Sequence, residues 1–387
     1  MKFWESIQAQ IEALEQAGLL RSTRAVSGPQ GAEIVLEGRR VVNLCSNDYL
    51  GLANHPALLE AARQSLDEDG LGAASSRLIA GTMAPHLRAE HALAGFVGEE
   101  QVMLFATGYA ANLAAISGVL GAGDLVLSDA LNHASIIDGC RLSRARVVVF
   151  GHRDLDDARR ALTQHRAAAR RAAIVTEAVF SMDGDSAPLA DLRALCDEFD
   201  AALIVDEAHA LGVLGPSGRG LCAARKVVPD LLVGTLGKAF GVAGGFIAGR
   251  SALRPLLHTH GRSFVYTTAP LPAQAAATVA ATRLVARADA ARARLFSNAG
   301  QLRDGLRSLG FEVPSGEAAV IPVLTRSVDA TLQASHQLLD SGVYVQAIRP
   351  PTVPDGTSRL RIVPTAAHDS QHVERALRAF KALASKR

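Results

Sequence analysis

Seven short apolar runs between residues 101 and 249 constrain the fold of this chain more than anything else in it. They are QVMLF (101–105), DLVLS (124–128), RVVVF (146–150), AAIVTE (172–177), ALIVDE (202–207), LLVGT (231–235) and a run at 244–248. A run of about five apolar residues bounded by polar ones reads as a buried strand, and most of these are separated by stretches of helical length. That rhythm predicts an α/β domain around a mostly parallel seven-stranded sheet. The last two runs are joined by a loop too short for a helical crossover, so one strand is expected to run antiparallel.

A chain of 387 residues, 49% hydrophobic, can hold one large domain and a smaller one. The expected division is an N-terminal helix and segment (1–45) packing with the small domain, a large α/β domain (46–290), and a small α+β domain (291–387). Phe3, Ile7, Ile11 and Leu14 share one helical face, with Gly18 as a stop. A long helix around 270–300 is expected as the connector. Strand-like runs follow near 319–324 and 359–363, and a last helix aligns Val373, Leu377 and Phe380.

A net charge of +2 is too balanced for a nucleic-acid or polybasic membrane partner. Cys45, Cys140, Cys196 and Cys222 form no CxxC pair, which fits reduced thiols in a cytoplasmic protein and no metal site. The opening MKFWESIQAQIEALEQ lacks the apolar core of a secretory signal. The one membrane-like window, 231–249, carries Lys238 and six glycines, so a strand–loop–strand explains it better than a spanning helix.

Chemistry concentrates where the apolar runs end. Lys238 lies in GTLGKAFGVAGG (234–245), and Asp206 lies in IVDEAH (204–209). The lysine segment is not a phosphate loop, because Leu232 and Ala239 stand where that motif needs glycine and a hydroxyl. A desolvated amine is a competent nucleophile, and an acid nearby can hold a ring nitrogen. Pyridoxal phosphate (PLP) is the cofactor that needs both, bound as a lysine Schiff base with an acidic partner at its pyridinium. Asp206 reads equally well, taken by itself, as a cap for the following helix. His209 suits a phenolic oxygen or a substrate carboxylate. ATGYAAN (106–112) opens a helix whose free N–H groups suit phosphate, with Gly108 allowing close approach. His133 in LNHASIIDG (131–139) suits stacking on a flat ring. Glu177 and Ser181 lie in TEAVFSMDGD (176–185), past a further run. Strand ends supplying polar groups to one crevice are the expected geometry of an open α/β sheet.

These residues and the motifs around them resemble the α-oxoamine synthases, PLP enzymes of aminotransferase fold type I. The likeness runs from NLCSNDYLGLANHP (43–56) through SSRLIAGT (75–82), FSMDGDSAPLA (180–190) and GVLGPSGRG (212–220) to RLRIVPTAAH (359–368). It implies Lys238 as the Schiff-base residue, Asp206 as the pyridinium partner and His133 as the stacking residue. Gly108 and Tyr109 would form the phosphate turn, with Thr235 adding a hydroxyl, and Ser181 and His209 would contact the phenolic oxygen. Asn47 and Arg361 match positions near an amino-acid carboxylate. Arg21 and Thr352 match acyl-substrate positions, with Arg349 a companion and Arg359 a competitor. The segment AIRPPTVPDGTSRLRI (347–362) further implies L-alanine and a pimeloyl thioester, on coenzyme A or acyl carrier protein, as substrates. The resemblance implies a homodimer with interface sites, Thr267 and Thr268 reaching the neighbour's phosphate. The sequence departs from the pattern at Ala210, where glycine is common, and at GGF (244–246).

Overall fold

A computed structural model describes residues 2–385. The chain divides into two compact units. The large one comprises Asn47–Ser181 and Asp185–Arg292; the small one comprises the chain up to Ser46, Met182–Gly184, and Ala293 onward.

The large unit is built on a seven-stranded sheet. Numbered within it, the strands are β1 (Gln101–Phe105), β2 (Leu125–Asp129), β3 (Arg146–Phe150), β4 (Ala172–Glu177), β5 (Ala202–Asp206), β6 (Leu231–Thr235) and β7 (Gly245–Gly249). Their order across the sheet is β1-β7-β6-β5-β4-β2-β3. Strands β2 to β6 run parallel, and β7 alone runs antiparallel to its neighbours β1 and β6. The one reversed strand is a member of the pair that the short loop joins. Val126, Ile174, Ile204, Val233 and Ile247 are essentially unexposed, as in a sheet covered on both faces, where strands read as continuous apolar runs. Strand β3 is the exception: it lies at the edge, and Val149 is 62% exposed. Strands β6 and β7 fit by size, since Phe246 stands opposite Gly234 in register. A Cβ at 234 would come within 2.4 Å of the Phe246 ring.

The expected connector is two helices, Pro272–Ala286 and Asp289–Ser308. The break has a physical cause in Arg292, whose guanidinium donates to the Val285 carbonyl at 2.8 Å and the Gly212 carbonyl at 3.3 Å. A helix end whose carbonyls find side-chain donors need not continue.

In the small unit a four-stranded sheet joins Val26–Ser27, Glu33–Leu36, Arg39–Asn43 and Val343–Tyr344. A three-stranded antiparallel sheet joins Ile321–Arg326, Ser358–Ile362 and Gln346–Ile348. Helices Val328–Asp340 and Ser370–Ala384 belong to it as well, together with the part of Asp289–Ser308 from Ala293 onward; Ser370–Ala384 buries Val373 and Phe380. The N-terminal helix is Phe3–Gln16 and buries nothing: Phe3 is 71% exposed. Among the described residues no helix is long and apolar enough to cross a membrane, and no side-chain cluster suits a metal ion.

Candidate active site

The carboxyl ends of the parallel strands of the large unit gather its polar side chains. Lys238 sits in the loop from β6 to β7, its Nζ 2.9 Å from His209 Nε2. The other nitrogen of that ring, Nδ1, lies 2.6 Å from the Tyr49 hydroxyl, buried at 1% exposure. Asp206 closes β5 with both carboxylate oxygens satisfied. Oδ2 accepts from Asn112 Nδ2 at 2.7 Å and Oδ1 from the Ala208 N–H at 2.8 Å. The local turn bond replaces the helix cap that the sequence also allowed, and the opposite oxygen is held from another element.

Asn112 extends the line. Its amide also donates to Ser135 Oγ at 2.9 Å, and that hydroxyl lies 2.7 Å from His133 Nδ1. Asp206, Asn112, Ser135 and His133 therefore form one chain of hydrogen bonds that runs from the buried Asp206, Asn112 and Ser135 out to the exposed imidazole, and it fixes the plane of that ring. Desolvation, above all, holds the His133 pKa below its ordinary value, with Lys238 adding to the effect and Asp206 opposing it. A neutral ring held in one plane suits stacking.

The helix Gly108–Ser117 starts directly beyond β1. Thr107 caps it, accepting from the Ala110 N–H at 3.0 Å. The first N–H groups of a helix have no partner within it and carry the positive end of its dipole, so they suit an anion. Gly108 keeps the approach open: a Cβ there would sit tightly, 3.3 Å from both Cβ and Oγ1 of Thr235. Thr235 Oγ1 donates to the Gly244 carbonyl at 3.1 Å and accepts from the Gly237 N–H at 3.3 Å, which shapes the lysine loop. Tyr109 is half-exposed at the same helix start and donates to Asp138.

Ser181 is buried at the end of the hairpin begun by the Val179–Ser186 bridge. Asn47 opens the large unit, its carbonyl accepting from the Tyr49 N–H at 2.8 Å. Thr267 is partly buried and Thr268 exposed, on a segment bridged to Ser76. Of the two departures, Ala210 is fully buried, and Phe246 packs over Gly234.

The small unit holds a cleft of about 240 Å³ lined by Arg21, His336, Tyr344, Ile348, Arg349 and Thr352 among others. Arg21 Nη2 donates to Thr352 Oγ1 at 2.8 Å. Arg349 is committed to the backbone, donating to the Gly18 and Leu20 carbonyls at 2.8 Å each. Arg359 is committed too, to the Thr357 carbonyl at 2.9 Å, the Met182 carbonyl at 3.3 Å and the Asp183 carboxylate. Arg361 is buried on the strand Ser358–Ile362.

Tyr49 and Asn112 were not singled out from the sequence, although both lie inside quoted motifs. Asn112 had one signal: a lone amide in the otherwise apolar helix GYAANLAAIS. Tyr49 had none.

A lysine and an acid at the ends of adjacent parallel strands, beside a helix start, define a class of α/β enzyme, the aminotransferases of class I and II, whose family model matches residues 39–380. The chain is 47% identical to the 8-amino-7-oxononanoate synthase of Geobacter sulfurreducens, over 97% of each sequence. Its fold is similar to that of serine palmitoyltransferase from S. paucimobilis with a bound PLP–myriocin adduct. There the TM-score is 0.93 and the identity 31%, over 99% of this chain and 97% of that one. It is also similar to 8-amino-7-oxononanoate synthase from Francisella tularensis, with TM-score 0.75 and identity 26%, over 89% of this chain and 98% of that one. Within its class the chain belongs to the 8-amino-7-oxononanoate synthase family.

Proposed function

We infer that the chain, with PLP as cofactor, condenses L-alanine with a pimeloyl thioester and releases CO2 and free thiol. The product is 8-amino-7-oxononanoate, a step of biotin biosynthesis. The observation that carries it is Lys238 and Asp206 at neighbouring strand ends in a chain 47% identical to a relative of that name. The sister reactions, such as 2-amino-3-ketobutyrate formation from glycine, are not favoured by those relatives.

The residues fit the cofactor. Asp206 is held by two donors at the floor, and Gly108 leaves a backbone surface that a Cβ would crowd. PLP, when bound, supplies an aldehyde that condenses with amines and a ring that takes up the electron pair released at the substrate Cα. Lys238 Nζ would hold the cofactor's aldehyde, and once released it would be the base that takes the substrate Cα proton. Asp206 would accept the N–H of the cofactor ring. His133 would cover the ring, and His209 and Ser181 would donate to its phenolic oxygen. The N–H groups of Gly108 and Tyr109, with the Thr235 hydroxyl, receive the phosphate. Asn47 and Arg361 hold the alanine carboxylate.

For the acyl chain, Arg21 meets the distal carboxyl group, with Thr352 holding its fork, while Arg24 of the same cleft pairs with Glu37 at 3.5 Å. Arg349 fixes the backbone on which Arg21 is mounted. The working form is a homodimer in the cytoplasm, in which Thr267 and Thr268 reach the neighbour's phosphate. Support for the dimer comes from apolar side chains left in solvent around that segment, Ile79 at 83% and Tyr266 at 75% exposure.

The test is a substrate panel: alanine and glycine, each with pimeloyl, succinyl and acetyl thioesters, on both carriers. Turnover of the alanine and pimeloyl pair above all others supports the reading, and a preference for glycine with a short acyl group overturns it.

A further inference from the structure

Glu177 is buried at 3% exposure and closes β4, where it stands in register with Asp206 at the end of β5. Registered neighbours on parallel strands project to the same face of a sheet. Two carboxyl groups thus meet at the floor of the crevice, and their surroundings differ. Asp206 has a donor on each oxygen. Glu177 receives the His133 backbone N–H, while its Oε1 is buried without a partner. An unpartnered carboxylate oxygen in such a site is costly, whereas a protonated one is a neutral hydroxyl.

We propose that Glu177 sets the charge of this crevice, as a carboxylic acid held neutral so that Asp206 remains the single anion opposite Lys238. The groups that face it are Asp206 from β5, Lys238 from the loop after β6, His133 at its helix start and Asp129 from the end of β2. Asp129, engaged by His152 Nδ1 at 2.9 Å, still adds to the negative field that favours the proton on Glu177. Burial first, and Asp206 next, push the Glu177 carboxyl up to about 8, with Lys238 and the His133 N–H opposing. Glu177 is a positioning residue. It acts through Asp206: losing its proton would place a second negative charge beside the group that holds the cofactor ring. This role rests on the PLP reading, but the proton itself can be detected without cofactor.

The test compares wild type with Glu177→Gln, which keeps the shape and the neutral charge. The apoprotein is measured first, by infrared difference spectra at pH 6.5 and 9.5. Wild type should show a protonated-carboxyl stretch that is lost at the higher pH and missing in E177Q. Melting temperatures supply the second readout. An acid whose folded pKa is raised opposes folding as pH climbs from its unfolded value, about 4.5, to about 8, and adds nothing further above that. The melting temperature of wild type should therefore fall relative to E177Q across that window and then run parallel to it. In the loaded enzyme, the alkaline limb of kcat/KM should lose a component near pH 8 in E177Q. A wild-type spectrum without the protonated-carboxyl band, or a constant gap between the two melting curves, overturns the proposal. Loss of activity on the panel above, with the band present, would instead overturn the PLP reading and leave the proton on Glu177.

Discussion

Lys238 and Asp206 face one crevice from adjacent strands, yet removing each should fail differently. Lys238→Ala should abolish turnover and the visible absorbance of lysine-bound cofactor. Asp206→Asn should still bind PLP but slow exchange of the alanine Cα hydrogen in deuterated buffer by on the order of 100-fold, the loss typical of one removed electrostatic stabiliser. Proton NMR of alanine with each variant checks both. The arginines separate in the same way. Arg21→Gln should raise KM for the pimeloyl thioester roughly 10- to 100-fold with kcat nearly kept, the size of one lost charge-assisted bond. Steady-state kinetics that instead left KM unchanged would return the carboxylate to another arginine. At this scale the sequence was legible where chemistry and a strand end coincide, as at Lys238, Asp206 and His209. It was not legible at Tyr49, whose partner His209 lies 160 residues away, or at Asn112, 94 residues from Asp206. A hydrogen bond across that distance leaves no local pattern.

Elements tell a similar story. The apolar runs mark the strands of the large sheet because strands buried on both faces need apolar side chains on both; the edge strand β3 is apolar without being buried along most of its length. The runs drawn at 124–128 and 244–248 sit one residue later, at Leu125–Asp129 and Gly245–Gly249. The break at Arg287–Ala288 was hidden, since no glycine or proline marks it; the cause is a guanidinium five residues from the break, Arg292. The pairing of β6 with β7 gives an element-scale prediction. Gly234→Ala forces a methyl into the Phe246 ring and the Leu211 side chain, and should cost ~1–3 kcal/mol of stability. Adding Phe246→Leu should recover part of that loss, as read from urea unfolding of the two variants and wild type.

For the whole molecule, pH is the sharpest probe. His152 bridges Asp129 and Asp185 at 2.9 Å each. Although burial lowers its pKa, the hydrogen bonds it donates to both carboxylates, and their charge, outweigh this and raise it to about 9. A histidine raised in the folded state contributes stability that is full below its unfolded pKa, about 6.5, and is lost as pH rises through 9. The melting temperature of wild type should fall between those limits, and His152→Gln should remove the part of the fall that lies above pH 8 together with the low-pH gain, leaving the part below pH 8 that Glu177 contributes. Assembly is the other whole-molecule prediction. Light scattering should give twice the 40.5 kDa of one chain, and charged substitutions at Ile79 and Tyr266 should shift it to a single copy.

The reversed strand has a consequence for anyone who would re-engineer this protein. Thr235 and Gly245 are partners across two hydrogen-bonded strands, so the stretch carrying Lys238 is pinned at both feet. Elsewhere a connection can swell or shrink by a few residues with its ends anchored far apart. Here each added residue must bulge outward and carry the nucleophile with it. Grafts and insertions belong in other connections, and the spacing from Thr235 to Gly245 is the one length to leave untouched.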